Sequence, residues 1–124
     1  MPISYRIDEE KKRIYSRAEG VITFEDMHRH MKAEAGTPAA SYGEIFDCTG
    51  ATTTLTAIDV RALASERRSI AARQEPAPVA VVATTDVFFG MLRMFDMLTS
   101  QVRPLQVFRE LAQAEEWLDS ITGG

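Results

Sequence analysis

Val79-Ala80-Val81-Val82-Ala83 is a continuous apolar run rich in β-branched residues. A strand with one wet face alternates apolar and polar side chains, so an uninterrupted run predicts a strand buried on both faces, the inner member of a parallel sheet. Its flanks agree with that reading. Upstream, Glu75-Pro76-Ala77-Pro78 stops a helix predicted over Ile58 to Arg73, whose start is marked by Thr56 with Asp59 three residues later, an N-cap followed by an acidic first turn. Downstream, Thr84-Thr85-Asp86 caps a helix from Val87 to about Ser100. Pro104 to Phe108 then reads as a strand and Glu110 to Ile121 as a closing helix, with Leu111, Ala114, Trp117, Leu118 and Ile121 along one side.

The N-terminal half extends the pattern. Ile3, Tyr5 and Ile7 alternate with polar residues, Asp8 to Lys12 forms a charged tip, and Ile14, Ser16 and Ala18 resume the alternation: a β-hairpin that Gly20 ends. Thr23 caps a helix whose apolar stripe is Phe24, Met27, His28, Met31 and Ala35, stopped by Gly36-Thr37-Pro38. Tyr42 to Asp47 is a short strand, and Cys48 to Thr54 a polar, threonine-rich connection. The predicted order is β-β-α-β-α-β-α-β-α. This is a single α/β layered domain over residues 1–124, with a mostly parallel five-stranded sheet, an N-terminal hairpin and about four helices. Strand order is not legible at this level.

Composition narrows the function. With 14 Lys+Arg against 18 Asp+Glu, the net charge of −4 disfavours nucleic acid, whose binding needs a basic face. The single cysteine, Cys48, forms no internal disulfide, which fits a reducing compartment. No apolar stretch approaches the ~20 residues of a membrane span, and none at the N-terminus reads as a signal peptide; the expected location is the cytoplasm.

Candidate chemistry is sparse. His28 and His30 are the only imidazoles, and a spacing of two points them about 200° apart on a helix, so they do not share a metal. His28 falls on the apolar stripe and His30 on the solvated side. No metal, cofactor or catalytic residue is assigned. Asp47, Thr49, Gly50 and Thr54 lie near a strand's carboxyl end, where open α/β sheets bind ligands, and form a candidate ligand loop. Arg61, Arg67, Arg68 and Arg73 read as a solvated face of the second helix. The third helix is apolar around most of its circumference: Phe88, Met91, Leu92, Phe95 and Leu98 suffice to cover a sheet, leaving Phe89, Met94 or Met97 for a partner. Phe88, Phe89, Met91, Met94 and Met97 are thus candidates for a homodimer seam, a docking patch or the wall of an apolar pocket.

The hairpin followed by alternating helices and strands, Phe46-Asp47-Cys48-Thr49-Gly50 at a strand end, and the closing stretch from Val107 to Leu118 with its Ala-x-x-Trp-Leu resemble the STAS superfamily. Within it, the divergent bacterial branch similar to the sporulation anti-sigma-factor antagonist, also compared with the lipid-binding SEC14 fold, is the nearest likeness. Established members have an Asp-Leu-Ser-Gly-like strand end, then an Asp-Ser pair whose serine a partner kinase phosphorylates. Laid on that pattern, Asp47-Cys48-Thr49-Gly50 puts Leu55-Thr56 at the pair, so Thr56 keeps a hydroxyl and Leu55 replaces the acid. The resemblance and the residues together point to a non-catalytic binding or regulatory domain that engages a protein or a small apolar ligand, with the apolar surplus of the third helix as the expected homodimer seam. The alternatives are a phospho-regulated antagonist of an anti-sigma-factor kinase, switched at Thr56, and a small enzyme using residues 47–56.

Overall fold

The computed structural model describes residues 2–73, 77–100 and 104–122. Among them the elements are β1 (Ile3–Asp8), β2 (Arg13–Ile22), α1 (Phe24–Ala35), β3 (Gly43–Thr53), α2 (Ala57–Ala71), β4 (Val79–Ala83), α3 (Asp86–Thr99), β5 (Leu105–Phe108) and α4 (Leu111–Thr122). All five residues of β4 are buried, as its unbroken apolar run requires. The helix stop expected at Glu75-Pro76 lies outside the described residues.

The strands stand in chain order, β1-β2-β3-β4-β5, with β1 antiparallel to β2 and every other pair parallel. Crossovers that each step one place in the same direction, with the same hand, deliver their helices to the same face. Accordingly α1, α2 and α3 share one face, where Met27, Met31, Leu63, Phe88 and Leu92 join Phe46, Val79 and Val81 in the larger core. On the other face α4 seats Ala114 and Leu118 on Ile45, Ala80 and Val82. Among the described residues no helix is long and apolar enough to cross a membrane.

Two expected boundaries move. The connection predicted over Cys48 to Thr54 is strand as far as Thr53, because β2 does not end at Gly20: Glu19, Gly20, Val21 and Ile22 pair with Gly50, Ala51, Thr52 and Thr53. Threonine is β-branched and suits a strand once a partner is present, so composition alone misread the segment. The register shifts between Arg17 and Glu19, and Gly20 takes φ 78° just beyond the irregularity.

The two open glycines make a paired test. Nothing lies within 4 Å of a Cβ built on Gly20 or on Gly90 in α3. Gly20→Ala is expected to destabilise by about 1 kcal/mol because only its left-handed backbone resists a side chain. Gly90→Ala, in an exposed helical turn, is expected to stabilise by about 0.5–1 kcal/mol. Urea unfolding of both variants measures the difference, and equal signs would contradict this account.

Candidate functional site

His30 and Glu34 are four residues apart, hence on the same face of α1. That face is turned toward the sheet: Met27, His30, Met31 and Glu34 are the buried residues of the helix. The expectation for the two histidines is therefore reversed. His30 is 6% exposed, while the His28 side chain stays 35% exposed, stacked on Phe24 and 4.0 Å from Glu66. The reason is tertiary. The sheet offers polar partners below α1, so a polar residue can be buried there at little cost.

Those partners are Glu44 on β3 and Ser16 on β2, both buried. His30 Nε2 lies 3.2 Å from Glu44 Oε2 and 3.3 Å from Glu34 Oε2. Ser16 Oγ donates to Glu44 Oε2 at 2.6 Å and reaches Glu34 Oε2 at 3.5 Å. Aromatic rings hold the imidazole: Phe46 at 4.9 Å between centroids and Tyr5 edge-on at 6.0 Å. Burial and the nearby Glu44 carboxylate push Glu34 up to about 7. Burial works against the His30 imidazolium, but the two glutamates outweigh it and raise its pKa to about 10. The nitrogen and the two carboxylate oxygens fall within 4.8 Å of one another.

This cluster forms the polar end of a cavity of about 40 Å³ enclosed by α1, α2, α3 and the sheet. The rest of the wall is apolar, with Met27, Met31, Phe46, Phe88, Met91 and Phe95 prominent. Arg67 of α2 also lines the cavity. It is 6% exposed, which corrects its assignment to a solvated face; Arg61, Arg68 and Arg73 are not buried. A cavity of that size holds a few water molecules, and its wall is built from side chains that adapt readily.

The sequence-derived candidates divide among several places. Phe88 and Met91 line the cavity, whereas Phe89 and Met94 are partly buried against the core. Arg109 stacks on the Phe89 ring at 4.1 Å while pairing with Asp86, so that phenyl already has a partner. Met97 is 77% exposed, and Leu98, expected to cover the sheet, is exposed as well because α3 rests on Phe88, Leu92 and Thr99 instead. Asp47 points to the opposite face, into a groove of about 400 Å³ beside α4 that Tyr15, Arg17 and Glu115 also line. Its carboxylate accepts from the Thr49 backbone and hydroxyl. Thr49 and Gly50 are exposed strand residues rather than loop, and Thr54 follows the strand end. Thr56 is exposed at the N-terminus of α2, where it and Asp59 cap each other reciprocally at 3.2 and 3.0 Å.

The residues that sequence reading missed are Ser16, Glu34, Glu44 and the buried role of His30 and Arg67. A signal was present: His30 and Glu34 at i, i+4, and Glu44 directly before the apolar pair Ile45-Phe46.

No protein-family profile matches the sequence, and no curated protein matches it. A solved structure does: an uncharacterized protein from the DUF3478 family with a SpoIIAA-like fold, from Shewanella loihica PV-4. It is similar over 94% of this chain and 93% of its own, with a TM-score of 0.59 at 17% sequence identity. The fold is SpoIIAA-like, in line with the fold that the resemblance seen in the sequence implied.

Proposed function

We propose that this SpoIIAA-like domain works by binding rather than catalysis, and that its ligand is a small, mostly apolar molecule held between α3 and the sheet. The cavity under α3 carries the reading: an apolar wall with a polar end built from His30, Glu34 and Glu44, and Arg67 also on the lining. A molecule larger than a few waters displaces α3 outward, and Met91 and Phe95, only half buried, are the side chains that give way. The enzyme alternative draws less support, since Asp47 and Thr49 bond to one another on the far side of the sheet from the cavity.

Native mass spectrometry of gently purified protein, followed by titration of the delipidated protein with palmitate, tests the proposal. One bound ligand per chain is expected, with binding lost in Met91→Trp, which fills the cavity. A bare mass and no palmitate uptake would sink it. Homodimerisation through α3 belongs to the same proposal and now rests on exposed Val87, Met97 and Leu98; a monomer by sedimentation removes that part. Regulation by an anti-sigma-factor kinase at Thr56 is the second reading, favoured by an exposed hydroxyl at a helix N-terminus. Asp59, already bonded there, sets a like charge against a phosphate. Phosphate on Thr56 after incubation with cell extract and ATP would support this reading, and its absence would count against it.

A further inference from the structure

The polar end of the cavity has a second capability that does not depend on an apolar ligand. We propose that His30, Glu34 and Glu44 form a binding site for one divalent transition metal, with Zn2+ the ion that fits best. An imidazole nitrogen with two carboxylate oxygens is a ligand set that zinc accepts, and three protein ligands with a fourth position open is the arrangement of its non-structural sites. Mg2+ and Ca2+ favour all-oxygen shells and suit this set poorly.

Geometry carries the proposal. Around a tetrahedral ion with bonds of about 2.0–2.1 Å, ligand atoms sit about 3.3 Å apart. His30 Nε2 already stands 3.2 Å from Glu44 Oε2 and 3.3 Å from Glu34 Oε2. Two of the three edges of the ligand triangle thus need no rearrangement. An outer layer is also present: Ser16 Oγ fixes the Glu44 carboxylate, and the Phe46 and Tyr5 rings fix the imidazole plane. All three side chains border the cavity, which supplies room for a fourth ligand. The ion takes the place of the His30 ring proton, which is released to solvent, and balances the two carboxylates, while Arg67, which also lines the cavity, adds a positive charge. The open position therefore favours hydroxide or an anionic oxygen over a neutral group.

The chain has only two histidines, which makes the test direct. Protein stripped with EDTA is titrated with Zn2+ while the ring 15N signals of both histidines are followed, and with Co2+ while ligand-field absorption is recorded. One equivalent of Zn2+ is expected to shift the His30 ring and leave His28 in place, and Co2+ to give the visible bands of a four-coordinate centre that Zn2+ abolishes. Glu34→Gln, which keeps shape and hydrogen bonding, is expected to weaken Zn2+ binding at least about tenfold, and His28→Ala to leave it unchanged. Absence of stoichiometric binding, a shift at His28 alone, or wild-type affinity in Glu34→Gln would each overturn the assignment. The wild-type NMR titration decides the matter even if Glu34→Gln does not fold.

Discussion

Glu44→Ala is expected to destabilise the metal-free protein by about 3–5 kcal/mol, the range for breaking a buried ion pair by removing one partner. Glu44 is 3% exposed and receives both His30 Nε2 and Ser16 Oγ. Truncation deletes these contacts together. It leaves the imidazole, buried under Phe46 and Tyr5, with Glu34 alone, and leaves the Ser16 hydroxyl with only its longer contact to Glu34. Water in the adjoining cavity can take the carboxylate's place but carries no charge, so the buried His30–Glu34–Glu44 arrangement loses half of its negative side. Replacing His30, Glu34 and Glu44 by leucine together with the buried Arg67 by methionine is expected to cost much less than Glu44→Ala, because no buried charge is then left without its counter-charge. Urea unfolding at constant m-value provides the comparison. A loss below about 1 kcal/mol for Glu44→Ala would mean that the cluster is solvated and the account wrong.

Raising the pH is expected to destabilise the chelator-treated protein steadily, by several kcal/mol in all. Both titrating members hold their protons more tightly in the folded state. Glu34 titrates near 7 rather than 4.5, and His30 near 10 rather than 6.5. A group whose folded pKa is raised contributes stability that is complete below its unfolded value and disappears as pH climbs through the folded one. The Glu34 contribution is therefore lost between about pH 4.5 and 7, and that of His30 between about 6.5 and 10. The other groups facing the cluster are Glu44 from β3, Arg67 from α2, Tyr5 from β1 and Ser16 from β2. Readings below pH 9 keep out Cys48, whose buried thiol is pushed well above its usual 9.0. Thermal unfolding from pH 5 to 9 should show a falling Tm, with the acid-side part of the slope missing in Glu34→Gln. A flat profile above pH 7 would contradict a raised His30.

Local pattern carried far at the level of elements. The apolar run at Val79–Ala83, the caps at Thr23 and Thr56 and the one-sided closing helix that carries Trp117-Leu118 each act over a few residues, and each element appears where its signal lies. The β2–β3 extension was not legible because Thr49, Thr52 and Thr53 serve a loop or a strand equally well until a partner strand is in place. The candidate site fared differently. Phe88 and Met91, candidates for a seam, a patch or a pocket wall, line the cavity, whereas Ser16, Glu44 and Arg67 drew no notice as buried groups, because a polar side chain reads as solvent-facing until something buried is seen to receive it.

By itself the amino-acid order determined the alternation of strands and helices, the inner parallel strand and the surplus of apolar surface on α3, since backbone propensity and side-chain periodicity are short-range properties. Only the assembled sheet decided that α1 turns His30 and Glu34 inward, that Ser16 and Glu44 come to meet them from β2 and β3, and that Arg67 of α2 is buried on the same cavity. Burial of charge depends on the energy of partners distant in sequence, and those partners become neighbours only when β2 and β3 lie side by side under α1.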